Sequence, residues 1–183
     1  MSYFEYLTTR SKLALLYRRI YLYPRLYRKL KPPIVDIGCG IGDFLSYKPD
    51  AVGLDIDAGA VSYCQQNAQT AYKFDGSNLP FDGGSFSSVV LDNVLEHIQE
   101  PEALLSDISR VIKPGGRFIV GVPGVKGYKS DKDHKVFYDE QRLIDLIERY
   151  QFKTHKVIHA PVKSKFLNKK ISQYCIYASF IRD

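Results

Sequence analysis

Asp36, Gly38, Gly40 and Gly42 stand at every second position, the first inside the short apolar run Ile34–Ile37 and the glycines directly after it. Glycines so spaced let a backbone turn sharply and approach a ligand closely. A loop of this kind at the end of a strand is where open α/β sheets bind their cofactors. Asp55 lies 19 residues beyond Asp36, at the end of a second apolar run, 51–55. An acid there can accept hydrogen bonds from both hydroxyls of a ribose. Two cofactor classes use this pair of features. The dinucleotide fingerprint needs its third glycine at position 43, which is Asp43, and a carboxylate there would face a pyrophosphate of its own sign. S-adenosylmethionine (SAM) has no phosphate. It carries a sulfonium cation and an amino-acid tail, for which nearby carboxylates are favourable, so the spacing favours SAM.

The elements around these residues alternate in type. Residues 34–37, 51–55, 71–74, 86–91 and 117–122 read as strands, and 43–47 and 58–67 as helices. Pro101 is placed at a helix start, Leu104, Leu105, Ile108, Val111 and Ile112 supply that helix with an apolar face, and Lys113-Pro114-Gly115-Gly116 ends it. Residues 139–150 form an amphipathic helix, with Leu143, Leu146, Ile147 and Tyr150 on one side. Two last extended runs, 153–162 and 173–181, flank a basic loop at 163–170. The order predicts an α/β fold, with a doubly wound, mostly parallel Rossmann-like sheet that ends in an antiparallel C-terminal hairpin. Residues 10–31 read as helix in two pieces that Pro24 breaks or offsets, and Lys31-Pro32-Pro33 marks a boundary. The expected organisation is an N-terminal helical cap over 1–31 and one domain over 32–183.

Val35-Asp36-Ile37-Gly38-Cys39-Gly40-Ile41-Gly42 resembles the first motif of the class I SAM-dependent methyltransferases. Gly53-Leu54-Asp55-Ile56-Asp57, Asp75-Gly76-Ser77-Asn78-Leu79-Pro80-Phe81, Asp92-Asn93-Val94-Leu95-Glu96-His97-Ile98 and Lys113-Pro114-Gly115-Gly116-Arg117 follow in that family's order. The resemblance covers roughly 32–150 and is strongest to the small-molecule branch. It implies a seven-stranded sheet and SAM as cofactor. Asp36, Gly38, Cys39, Gly40 and Gly42 would surround the methionine portion, Asp55 would hold the ribose, and Ile56 would pack on the adenine. Asp75 would bond the adenine amino group with Gly76 beside it, and Asp92 and Asn93 would lie near the methionine tail or the acceptor.

Methyl transfer from SAM is an in-line displacement, so the chain's main task is alignment. An acceptor hydroxyl also benefits from a base, most often His. His134, in Asp133-His134-Lys135-Val136-Phe137-Tyr138, lies in a loop expected over the methyl group and is the candidate base. Tyr138 in that segment and His97 are the candidate acceptor contacts. In the ubiquinone-type O-methyltransferases a segment similar to Leu95-Glu96-His97-Ile98 supplies divalent-metal ligands, with an additional acid three residues before the Glu. Here that position is Asn93, and no metal site is assigned. His155 and His159 fall on a predicted strand, away from catalysis.

The chain has 183 residues, 45% of them hydrophobic and 25% charged, an ordinary globular balance. No apolar run approaches the roughly 20 residues of a membrane span. Met1-Ser2-Tyr3-Phe4-Glu5 lacks the basic-then-apolar order of a secretion signal, so a cytoplasmic protein is expected. Cys39, Cys64 and Cys175 form neither a disulfide framework nor a metal pair. The net charge of +6 is uneven: +7 over 1–31, −7 over 32–152 and +6 over 153–183. Two basic ends on an acidic body predict an anionic partner. The expected partners are a small-molecule acceptor, itself anionic, and a membrane surface touched through the basic N-terminal segment, with no specific nucleic acid. Tyr3, Phe4, Tyr6, Tyr17 and Tyr21 in that segment are expected to help shape the acceptor pocket. The leading function is methylation of a small metabolite, a sugar unit or a lipid-linked intermediate. The alternatives are an RNA methyltransferase, which the absence of Trp and of an Asn/Asp-Pro-Pro-Tyr/Phe motif disfavours, and a non-catalytic SAM-binding partner subunit.

Overall fold

A computed structural model describes residues 12–183. Tyr3, Phe4, Tyr6 and the start Met1–Glu5 lie outside the described residues. Seven strands form one sheet in the order β3-β2-β1-β4-β5-β7-β6. They are β1 (Ile34–Ile37), β2 (Ala51–Asp55), β3 (Ala71–Lys73), β4 (Phe86–Asp92), β5 (Ile112–Pro123), β6 (Phe152–Ala160) and β7 (Cys175–Arg182). The first five pair in parallel, and β7 runs antiparallel between β5 and the edge strand β6. This is the doubly wound, mostly parallel sheet with an antiparallel hairpin that the sequence predicts.

Side chains alternate across the sheet with the period of two that a pleated strand imposes. Val35 and Ile37 of β1, Val89 and Leu91 of β4, and Phe118, Val120 and Val122 of β5 face one buried cluster. That cluster is completed by α5 (Glu102–Val111) and α7 (Glu140–Ile147). Ile34, Val90 and Ile119 face the other, under α3 (Asp43–Tyr47), α4 (Ala58–Gln66) and the N-terminal helical segment. Both faces are covered, as a parallel sheet requires.

The N-terminal segment runs α1 (Lys12–Tyr17), a π-helical turn over Arg18–Leu22, then α2 (Tyr23–Tyr27). The π turn ends with the Tyr23 N–H donating to the Arg18 carbonyl, one residue longer than an α-helical bond. Pro24 sits at the start of α2, where it needs no helical donor. It therefore offsets the helix without ending it. Leu22, Tyr23, Leu26, Tyr27 and Leu30 are buried against the sheet.

Three local readings change. Lys113–Gly116 does not end a helix: α5 stops at Val111, β5 begins at Ile112, and the four residues bulge between the pairs Phe86–Ile112 and Ser88–Arg117. Gly124-Val125-Lys126-Gly127-Tyr128-Lys129-Ser130, for which no helix is predicted, carries α6 (Val125–Ser130). The basic loop at 163–170 contains α8 (Lys165–Lys170), whose N-cap Ser164 accepts a hydrogen bond from the Leu167 N–H.

The cap is bound to the sheet by a partly buried polar contact. Arg18 Nη2 donates to Asp92 Oδ2 at 2.6 Å, and the Tyr27 hydroxyl donates to the same oxygen at 3.3 Å. Gly121 of the neighbouring strand must lack a side chain, because the Tyr177 ring and Asp92 Oδ1 fill the space a Cβ would take. Tyr27→Phe is expected to cost about 1 kcal/mol of stability in urea unfolding. The Asp92 carboxylate keeps Arg18, so the loss is that of one long hydrogen bond.

Candidate functional site

The site lies at the carboxyl ends of β1, β2, β4 and β5, where ligands of open α/β sheets bind. After β1 the chain turns through Gly38, Gly40 and Gly42 at φ of 75°, 52° and 77°. At Gly38 the left-handed conformation is joined by a steric demand: a Cβ would run into the Val94 side chain. The turn is fastened from the next strand. Asp55 Oδ2 accepts from the Gly40 N–H at 2.7 Å, Asp55 Oδ1 accepts from the Asp57 N–H at 2.9 Å, and the Leu54 carbonyl accepts from the N–H groups of Gly38 and Cys39.

A 340 Å³ cavity opens in front of this turn. Asp36, Gly38, Cys39, Gly40, Asp92, Asn93, His97 and His134 all line it, and Tyr17, Arg18 and Glu96 do so as well. Gly42 does not: it caps α3, and its carbonyl accepts from the Gln69 side chain. Asp55, Ile56, Asp75 and Gly76 do not line it either: Asp55 is buried beneath the turn at 4% exposure, and Ile56, Asp75 and Gly76 lie beyond it, with Gly76 packed toward Ile56 and the Phe74 N–H bonded to the Asp55 carbonyl. Ile56 is 63% exposed there. Asp75 accepts from the backbone and side chains of Ser77 and Asn78, and those bonds hold its carboxyl well below the usual range.

Tyr138 is not brought to the cavity. It is 3% exposed, part of the core, and its ring lies beneath the Arg142 guanidinium. Tyr17 lines the cavity, whereas Tyr21, stacked on Tyr17 at 5.3 Å, turns its hydroxyl to the Pro161 carbonyl on the other side of the helix. Cys39, Cys64 and Cys175 are free thiols. His155 and His159 lie on β6, and His159 is bonded to Tyr174 and Glu140.

The electrostatics are dominated by acids. Burial, with Asp92 and Asp55 nearby, holds the Asp36 carboxyl well above the usual range. Burial also raises Asp55 against the hydrogen bonds that lower it. Arg18 is the cation among these carboxyls; its burial works against the charge, but Asp92, with Tyr177, Tyr23 and Tyr27 beside it, more than offsets that and holds the guanidinium above its ordinary range. Such a group of carboxyls suits a cationic ligand and opposes a phosphate.

The sequence does not show what stands behind His134. Its Nδ1 lies 2.8 Å from the Tyr128 carbonyl oxygen. A carbonyl only accepts, so in the neutral ring Nδ1 carries the proton and Nε2 the lone pair. The Tyr128 ring stacks on the imidazole at 5.5 Å. Nε2 points toward Glu96 Oε1 at 3.8 Å, beyond hydrogen-bond reach. Glu96 is 1% exposed and neither carboxylate oxygen has a hydrogen-bond partner. Burial pushes its carboxyl up to about 8. The Glu96 carbonyl accepts from the Lys135 and Val136 N–H groups, which fixes the His134 loop over it. The His97 ring packs edge-on to His134 at 4.6 Å, and burial holds His97 below the usual imidazole range. Donor atoms of Glu96, His97 and His134 come within 4.8 Å of one another. Such a grouping of donor types also occurs in metal sites, and the sequence reading, which turned on Asn93, does not anticipate it.

Residues 35–120 match the family model described as a methyltransferase domain. An uncharacterised protein of Methanocaldococcus jannaschii is 25% identical over 67% of this chain and 65% of its own length. A demethylmenaquinone methyltransferase of Symbiobacterium thermophilum is 32% identical over 47% of this chain and 40% of its own length. The chain thus spans only part of the length of these relatives. Among solved structures, a SAM-dependent methyltransferase of Thermotoga maritima superposes with a TM-score of 0.75 at 19% identity, covering 99% of this chain and 98% of that one. A SAM-dependent methyltransferase of Archaeoglobus fulgidus gives 0.70 at 19% identity, covering 97% and 100%.

Proposed function

We propose, from the methyltransferase-domain match over residues 35–120, that the chain is a class I SAM-dependent methyltransferase and that it methylates a small-molecule, sugar or lipid-linked acceptor held in the cavity beside the glycine turn. One observation carries the reading. The turn fastened by Asp55 and the His134–Glu96 pair face each other across one cavity of small-ligand size. Curated relatives support the acceptor class, among them the demethylmenaquinone methyltransferase and a phosphoethanolamine N-methyltransferase of Triticum aestivum.

The residues fit SAM. Asp36 and the backbone of Gly38 and Gly40 border the cavity as partners for its ammonium and sulfonium charges. The Asp55 oxygens each accept one backbone bond and keep lone pairs for the ribose. Exposed Ile56 offers the adenine an apolar surface. When bound, SAM supplies a methyl group already activated by a positive sulfur.

The chain's residues then align and accept a proton. Asn93 and His97 border the space in front of the methyl position and orient the acceptor. Asp36, Asp55 and the glycine turn would hold SAM, which supplies that methyl to the acceptor's nucleophilic atom. His134 Nε2 takes the acceptor's proton. Tyr128 holds the ring from behind, and the nearby Glu96, once ionised above about pH 8, favours the imidazolium that results. His134→Ala is expected to lower kcat roughly a hundredfold on a hydroxyl acceptor, leaving the Kd for SAM unchanged. Release of S-adenosylhomocysteine, measured with quinone precursors, sugars and lipid-linked sugars, reads the first quantity, and calorimetry reads the second. An unchanged kcat would remove His134 from the mechanism.

A further inference from the structure

The surface beside the cavity carries a second constellation, on the far side of the N-terminal helix. A groove of 650 Å³ runs between α2 and the edge strand β6. Arg25, Arg28 and Lys29 line it from the helix, His155, Lys156 and Lys163 line it from the strand side, and no Asp or Glu lines it. Glu140 is the acid that reaches its rim, and it is bonded to His159 and Lys163. Arg28, Lys29 and Lys156 have no ion-pair partner among the described residues.

Exposed apolar side chains stand on the same N-terminal helical segment and on the chain that follows the edge strand, where Val162 lines the groove. Leu16 and Ile20, one helical turn apart, are 53% and 68% exposed. Tyr21, next to Ile20, bonds the Pro161 carbonyl and so joins this helix to the segment bearing Val162 and Phe166. Val162 is 58% exposed and Phe166 is 68% exposed. Phe166 stands on α8 among Lys163, Lys165, Lys169 and Lys170. Single exposed apolar residues are ordinary, but aliphatic and aromatic groups set among basic residues on two adjoining segments are the pattern of an interfacial surface.

We propose that this face, formed by Leu16, Ile20, Val162 and Phe166 with the groove of Arg28, Lys29 and Lys156, docks on an anionic lipid bilayer. The cations would meet lipid phosphates, and the four apolar groups would enter the headgroup boundary. The aliphatic members decide against a nucleic acid, which binds through stacking on planar rings and through phosphate contacts. The docking stands on this surface alone and does not require methyl transfer. It would bring the cavity, which Tyr17 of the same helix lines, to the membrane surface.

The test is co-sedimentation of the full chain with large vesicles of phosphatidylcholine, with and without phosphatidylglycerol, at low and high salt. Binding is expected only with phosphatidylglycerol, and it should weaken as salt rises. Arg28→Glu/Lys29→Glu is expected to reduce it by about tenfold or more. Ile20→Ser/Phe166→Ser, which leaves the charge unchanged, is expected to weaken it as well. Both variants change exposed residues, and circular dichroism confirms their folding. SAM binding by both variants should match the wild type, so a failure of docking is told apart from a failure of the methyltransferase reading. Folded protein that ignores anionic vesicles overturns the proposal, and so does binding that survives Ile20→Ser/Phe166→Ser undiminished. Salt-sensitive binding to a single-stranded oligonucleotide without vesicle binding overturns it in favour of a nucleic-acid surface.

Discussion

Asp55→Ala is expected to weaken SAM binding about a thousandfold, a loss of roughly 4 kcal/mol, in calorimetric titration of folded protein. The effect is large because one side chain has two tasks. It is the acceptor positioned for the ribose, and it also holds the glycine turn in shape. Its two oxygens accept from the N–H groups of Gly40 and Asp57 at 2.7 and 2.9 Å. Hydrogen bonds to a charged group contribute about 1.5–3 kcal/mol each. Without them the turn, which must hold Gly40 at a φ of 52°, has no anchor from β2 beyond the Leu54 carbonyl. Asp55→Asn separates the tasks. The amide oxygen can replace one acceptor, but its NH2 group faces a donor where the carboxylate met one. Intermediate binding is therefore expected, between wild type and Ala. Asp55→Ala binding within tenfold of wild type would remove Asp55 from the cofactor site.

Much of this site is legible in the sequence because its anchors are local. Asp36 lies near the end of one apolar run, the three glycines follow it and Asp55 ends the next, so strand periodicity places them at the same sheet edge. The unread parts depend on contacts between distant residues. Segment 125–130 has no helical periodicity. It is helical because Asn168 Oδ1 accepts from the Val125 N–H and the Tyr174 carbonyl accepts from the Gly124 N–H, both across more than 40 residues. Tyr138 sits four positions from His134, close enough to suggest a shared pocket, yet the chain turns it into the core under Arg142. The sequence offers no sign that Glu96 lacks partners, since that depends on how residues 134–136 fold back over it. Arg18 likewise reads as one of several surface cations until Asp92 is found beneath it.

Glu96→Gln is expected to remove an alkaline decline in stability that the wild type shows. The Glu96 carboxyl, buried and without partners, is raised from the ordinary 4.5 to about 8. Between those values the folded protein keeps a proton that the unfolded chain has lost, so unfolding releases a proton and stability falls as pH rises. The contribution is fully present below about pH 4.5 and is lost as pH rises through about 8, above which both states are ionised and the dependence flattens. A shift of this size corresponds to on the order of 5 kcal/mol across the window. The Gln amide mimics the protonated acid and does not titrate. Urea unfolding of both proteins at pH 5 and pH 9, with a chelator present so that only the proton is read, should give stabilities that agree at pH 5 and diverge in favour of Glu96→Gln at pH 9. Equal stabilities at both pH values would mean that Glu96 is ionised and paired in the folded protein. Because His134 Nε2 faces the Glu96 carboxyl at 3.8 Å, the same variant tests their coupling in turnover. If Glu96 favours the imidazolium, kcat of Glu96→Gln should fall at high pH, where the wild-type carboxylate is charged, and match the wild type at low pH, where both side chains are neutral.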